Sequence, residues 1–197
     1  GADGHDFVSL PPQLGLAPDL LDRFVFPHAP SIPVTLNMGM RMRAWYDIKS
    51  LDARGQDETG IRRSGEQIEA LIAREEERGV PASRIVLAGF SQGAAMALFT
   101  GLRYKRRLGG VVELSGYLTL HETLPAEAHA VNLELPILMV HGRHDDVVPY
   151  ELGDRSATVL RTAGYGVTWH DYAMAHQVCL EAVSYTHLRA HETRHDL

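Results

Sequence analysis

The chain alternates short apolar runs with longer segments in which apolar residues recur at helical spacing. Phe24-Val25-Phe26 is closed by Pro27 and predicts a strand followed by a loop. Residues 60–78 carry Ile61, Ile68, Leu71 and Ile72 among charges, the stripe of a helix with one buried face. Gly79 and Pro81 follow as its stop signal. Arg84-Ile85-Val86-Leu87-Ala88 predicts a buried strand, and Gln92-Gly93-Ala94-Ala95-Met96-Ala97-Leu98 the start of a small-residue helix. Gly110-Val111-Val112-Glu113-Leu114 and Pro136-Ile137-Leu138-Met139-Val140 read as two more buried strands. Residues 150–163 read as a helix closed by Gly164, and Gly166-Val167-Thr168-Trp169-His170 as a last strand. Strands separated by helices imply right-handed crossovers and a mostly parallel sheet covered on both faces. With no internal repeat or low-complexity linker, this is one α/β domain.

Composition narrows the partners. The chain has 197 residues, enough for one sizeable core, with ordinary hydrophobic (45%) and charged (22%) fractions. A formal net charge of −6 offers no basic face for nucleic acid. No apolar stretch approaches the roughly 20 residues that span a bilayer, and no signal-peptide pattern is visible, so no stable membrane association is expected. The single cysteine, Cys179, excludes an internal disulfide framework and fits a reducing compartment, which suggests the cytoplasm. The chain opens on Gly1-Ala2-Asp3-Gly4-His5-Asp6-Phe7, which reads as the middle of a loop, as in a trimmed chain or a fragment.

In sheets of this kind ligands sit beyond the carboxyl ends of the strands. Three polar clusters fall there: Ser91, then His141-Gly142-Arg143-His144-Asp145-Asp146, then Tyr172-Ala173-Met174-Ala175-His176. Gly89-Phe90-Ser91-Gln92-Gly93 fits G-x-S-x-G between a strand and a helix, a nucleophile elbow whose tight turn demands small neighbours. The backbone N–H of Gln92 then points to where an oxyanion would form. A serine hydroxyl needs a base, and the base needs a carboxylate to fix its tautomer. Among eleven histidines, His176 is the candidate base, in a small-residue loop beyond the last strand. His141 and His144 share the loop that must supply the acid and are weaker candidates. Asp145 is preferred as the acid over its neighbour Asp146, with Asp171 a distant third. The order Ser, acid, His is the chain order of α/β-hydrolase triads.

Other motifs read as decoys. His191-Glu192-Thr193-Arg194-His195 matches H-E-x-x-H, but a zincin needs a third ligand and an enclosing fold, and the sequence stops two residues later. No metal and no organic cofactor are therefore expected. Gly1-Ala2-Asp3-Gly4 has no following lysine to make a phosphate loop. Glu75-Glu76-Glu77 reads as a solvated helix face, and Cys179 as an inward-packing residue rather than a nucleophile.

With these residues in place, the chain resembles a bacterial carboxylesterase of the acyl-protein thioesterase and lysophospholipase-like family of α/β-hydrolases. The resemblance runs from Gly1 to about Val183. It rests on Gly1-Ala2-Asp3-Gly4-His5-Asp6-Phe7, Met42-Arg43-Ala44-Trp45-Tyr46-Asp47, Ala88-Gly89-Phe90-Ser91-Gln92-Gly93, His141-Gly142-Arg143-His144-Asp145 and Met174-Ala175-His176. It implies an α/β-hydrolase fold with Ser91 as nucleophile, Asp145 as acid, His176 as base and the Gln92 N–H in the oxyanion hole. The family's acid is usually followed by proline; Asp146 stands there, which leaves both aspartates in play. Trp45 and Tyr46 line the substrate pocket by resemblance, or pack under the sheet edge. The implied substrate is a small acyl ester of short chain, with thioesters and lysophospholipids in range and a homodimer allowed.

The family also carries strands and an H-G-L-G-type turn ahead of the segment that begins here, and that turn supplies the second oxyanion N–H. The expectation is an N-terminally incomplete domain over residues 1–183, followed by a non-native His- and Arg-rich tail over 184–197. The competing expectation is a non-catalytic α/β remnant or binding module that kept its triad without a complete oxyanion hole.

Overall fold

The computed structural model describes residues 4–9, 11, 23–50 and 54–178. Its centre is a four-stranded sheet of β3 (Val86–Phe90), β4 (Gly110–Leu114), β5 (Ile137–Gly142) and β6 (Val167–Tyr172), in that order across the sheet. All neighbouring strands run parallel, with Phe90 opposite Leu114, Leu114 opposite Val140, and Gly142 opposite Tyr172. Parallel neighbours need long connections, and α2 (Gln92–Arg103), α3 (Leu124–Glu127) and α4 (Tyr150–Thr162) lie within them. α1 (Glu58–Glu77) precedes the sheet.

The strands add in sequence order, so crossovers of one hand deliver their helices to one face. Ile72 of α1, Leu98 and Leu102 of α2, and Ala157 and Leu160 of α4 meet Val111, Ile137 and Met139 in a single core. Among the described residues the opposite face carries a smaller cluster of Val112, Leu138, Val140 and Met174, with Leu114 and Tyr172 against it. β4 and β5 are therefore buried on both faces, which is why their sequences read as near-continuous apolar runs rather than as an alternation.

Each predicted element of the sheet is present, with shifted ends. α1 starts at Glu58 because the Asp57 side chain accepts the Gly60 N–H at 3.1 Å and caps the first turn. β5 and β6 run on through His141-Gly142 and Asp171-Tyr172, since backbone pairing continues beyond the apolar runs.

One strand was misplaced. Phe24-Val25-Phe26 is not in a ladder; Phe24 and Val25 are exposed at 40% and 44%, and Phe24 stacks on Phe26. The nearby strand pairing belongs instead to an antiparallel ribbon of β1 (Ser31–Pro33) and β2 (Arg41–Arg43). Its sequences, Ser-Ile-Pro and Arg-Met-Arg, are too short and too polar to show a buried period. Cys179, the H-E-x-x-H motif and the expected tail over 184–197 lie outside the described residues.

Candidate active site

Ser91 occupies the turn between β3 and α2, with φ 56° and ψ −122°. Its N–H donates to the Leu114 carbonyl at 2.8 Å, and its own carbonyl accepts from Ala94 and Ala95 in the first turn of α2. The turn is so close that a Cβ on Gly89 would collide with the backbone of Gly93 and Ala94. That is the physical demand behind the glycines of the motif. Gln92 opens α2, and the first N–H groups of a helix have no partner within it.

Two loops reach toward the serine from β5 and β6. Asp145 is buried, and its Oδ1 accepts the backbone N–H groups of Val147 at 2.9 Å and Val148 at 2.8 Å. These bonds aim Oδ2 at His176, whose Nδ1 lies 2.8 Å away. The other ring nitrogen of His176, Nε2, lies 3.0 Å from Ser91 Oγ. One imidazole thus bridges a hydroxyl and a buried carboxylate. The imidazole side chain is 14% exposed and the carboxylate 0%, so the acid is dry and the histidine sits at the rim. The Phe90 ring packs against the His176 ring at a centroid distance of 4.6 Å.

The alternatives fall elsewhere. Asp146 is exposed, and Asp171 is engaged by Arg143 and by the Tyr150 hydroxyl, each at 2.8 Å. His144 is exposed. His141 is buried; burial lowers its pKa, and a neutral ring donates from Nε2 to the Val148 carbonyl at 2.9 Å. His141 Nε2 also lies 3.6 Å from Asp145 Oδ2, so it supports the acid's loop from beneath.

The two aromatic residues divide. Tyr46 is 2% exposed, and its hydroxyl pairs with that of Tyr117 at 2.9 Å, so it packs in the core beside Ile61, Met96 and Phe99. Trp45 is half-buried, with its indole Nε1 beside Gly93, two residues past the serine.

Three contributions are not visible in the motifs. The Gln92 side chain reaches back to the segment before α1: its Oε1 accepts the Trp45 N–H at 2.7 Å and its Nε2 donates to the Tyr46 carbonyl at 2.8 Å. Phe90 supplies a face for the His176 ring. Glu113 stands fully buried on β4, behind the elbow. Only the last left a mark in the sequence, as an acid inside an otherwise apolar run. Among the described residues no group of histidine, cysteine or carboxylate side chains could hold a metal ion. No described helix is long and apolar enough to cross a membrane.

A parallel sheet with a serine elbow after β3, an acid after β5 and a histidine after β6 defines an α/β-hydrolase of the serine hydrolase class. The sequence model of the phospholipase/carboxylesterase family matches residues 1–191, and the chain belongs to that family. Acyl-protein thioesterase 1 of Neurospora crassa is 43% identical over 193 residues, covering 92% of this chain and 78% of that protein. The Yarrowia lipolytica protein of the same name is 40% identical over 167 residues, covering 82% and 74%. Among solved structures, Arabidopsis thaliana SOBER1 superposes with a TM-score of 0.91 at 27% identity, covering 98% of this chain and 93% of that one. Zea mays acyl-protein thioesterase 2 superposes with a TM-score of 0.79 at 28% identity, covering 98% and 89%. These relatives are fungal and plant proteins; they support the family and not a bacterial origin. The family match extends to residue 191, into the segment expected to be a non-native tail.

Proposed function

We propose that this chain is a serine carboxylesterase that hydrolyses short-chain acyl esters through an acyl-enzyme, with thioesters and lysophospholipids as further substrates. The observation that carries the reading is the bridge of His176 between Ser91 and Asp145, at 3.0 Å and 2.8 Å. Ser91 Oγ attacks the acyl carbonyl while His176 Nε2 takes its proton. Asp145 holds the Nδ1 proton, so that Nε2 faces the serine unprotonated, and stabilises the imidazolium that forms. The charge on the carbonyl oxygen is met by the Gln92 N–H, helped by the positive end of α2. His176 returns its proton to the departing alcohol or thiol, then activates a water that releases the acid. No metal or organic cofactor enters any of these steps. Trp45, half-buried beside Gly93, borders the acyl site in this reading, whereas Tyr46 holds the segment in place from the core.

The substrate range is supported by the family and by the thioesterase relatives. A cytoplasmic location is supported by the single cysteine, as suits a reducing compartment. The test is covalent: a fluorophosphonate probe should label the folded chain, and Ser91→Ala should lose both labelling and hydrolysis of p-nitrophenyl esters. A folded chain that neither labels nor hydrolyses would instead be a non-catalytic member of the fold.

A further inference from the structure

The buried acid behind the elbow has no part in the reaction as derived. Glu113 is 0% exposed on β4, between Gly89 of β3 and Met139 of β5. Its Oε1 accepts the Gly116 N–H, while among the described residues its Oε2 is buried without a partner. Gly116 is the point where this acid and the elbow meet. A Cβ placed there would lie 2.6 Å from Glu113 Oε1, 2.6 Å from Ala94 Cβ and 2.9 Å from the Ser91 carbonyl oxygen. The intervening Ser115 has φ 50°, so this turn is not one the backbone adopts unaided. The turn is fixed on its other side by the Ser115 N–H to the Val140 carbonyl, and Ser91 itself hangs from the Leu114 carbonyl. Glu113, the 114–116 turn and the elbow are therefore one packed unit.

We propose that Glu113 is a positioning residue for Ser91, its carboxyl holding the Ser115-Gly116 backbone against the elbow and doing so only as the neutral acid. The inference rests on the reading of Ser91 as nucleophile. A neutral carboxyl fits the site, with one oxygen accepting from Gly116 and no charge to solvate. Among the described residues an anion there would have a single N–H donor and no cation.

The surrounding elements supply no counter-charge. β3 has no titratable residue, and α2 has only Arg103, at its far end and paired with Glu127. On β5, His141 shares the face of Glu113 but is buried and held neutral. The charged residues of α4, Glu151, Asp154, Arg155 and Arg161, are exposed. Next to the turn, Tyr117 is tied to Tyr46, and burial raises both phenols. Burial likewise pushes the Glu113 carboxyl up to about 8, against a smaller opposing effect of the Gly116 N–H. Above that pH the proton leaves to solvent, and the charge draws water or forces the turn to open beneath Ser91.

The test is the pH profile of fluorophosphonate labelling and of kcat/KM between about pH 6 and 10, each protein scaled to its own maximum. The native protein should lose activity above a midpoint near 8, about tenfold per pH unit. Glu113→Gln, which cannot ionise, should lack this alkaline limb. Glu113→Leu, which removes the acceptor for Gly116, should lower kcat at every pH with KM little changed. Coincident profiles for the native protein and Glu113→Gln would overturn the proposal, as would full kcat in Glu113→Leu. Ser91→Ala separates the two readings: hydrolysis surviving that change refutes the nucleophile itself, while its loss alongside coincident Glu113 profiles refutes only the positioning role.

Discussion

Replacing Asp145 by asparagine tests the whole arrangement, because the structure dictates how the new amide must sit. The native Oδ1 accepts two backbone N–H groups, from Val147 and Val148. An asparagine that turned its NH2 toward them would oppose donor to donor twice. Leaving a buried donor unpaired costs about 1–3 kcal/mol each. The amide oxygen therefore stays on the loop, and the NH2 faces His176 Nδ1, 2.8 Å from the native Oδ2. Nδ1 must then accept, so the ring proton moves to Nε2, the nitrogen 3.0 Å from Ser91 Oγ. That nitrogen no longer has a lone pair for the serine proton. Holding the histidine of a serine protease in the wrong tautomer costs about 10⁴ in kcat. Asp145→Asn should accordingly lose about 10³–10⁴ in kcat, roughly 4–5.5 kcal/mol, with KM changed little. The shape and both loop bonds survive, so the circular dichroism spectrum should be unchanged. The assay is initial-rate hydrolysis of a p-nitrophenyl ester by both Asp145→Asn and Asp146→Asn. Asp146 is exposed, and its amide should behave as the native protein does. A loss under tenfold for Asp145→Asn, or an equal loss for Asp146→Asn, would refute the assignment of the acid.

Two further outcomes follow from other contacts. Gln92→Ala removes the two bonds that tie Trp45 and Tyr46 to the start of α2, leaving two backbone groups unpaired; thermal or urea unfolding should show a loss of about 1–3 kcal/mol. An unfolding midpoint equal to the native one would mean that water replaces the clamp without cost. Burial pushes Glu127 up, but bonds from Arg62, Thr123 and Arg103 outweigh it and hold its pKa at about 2. A carboxylate depressed in the folded state stabilises above its ordinary pKa of 4.5 and loses that contribution as pH falls toward 2. Glu127→Gln should flatten the acid limb of stability in that window, as read from urea midpoints at stepped pH; an unchanged slope would show the network contributes nothing there.

How far the sequence carried the reading depends on whether each demand is local. The elbow was legible because the collision at Gly89 involves residues four and five positions away, and only glycine relieves it. Helices and sheet strands were legible from their apolar stripes and runs, though not their ends, which follow backbone pairing and the Asp57 cap. Sequence favours Asp145 but leaves its neighbour Asp146 in play. The turn that separates them is made by Asp145 itself, through the N–H groups two and three residues on. The β1–β2 ribbon was illegible because three-residue strands with arginines on one of them show no buried period. The Gln92 clamp spans 46 and 47 positions of chain, and no spacing rule reaches so far. Trp45 and Tyr46, joined in one expectation, part because adjacent residues face opposite ways: one phenol meets Tyr117 inside the core, and one indole lies over the start of α2.

The backbone of Ser91 has a consequence for how such a protein can evolve. Its φ of 56° with ψ −122° is a conformation that glycine adopts freely and a side chain adopts at a cost of about 1–3 kcal/mol. Stability and reactivity thus make opposite demands on one codon. Selection for heat resistance alone would favour glycine at position 91. Under the proposed function, the serine is held there against that pull because only its hydroxyl can do the chemistry.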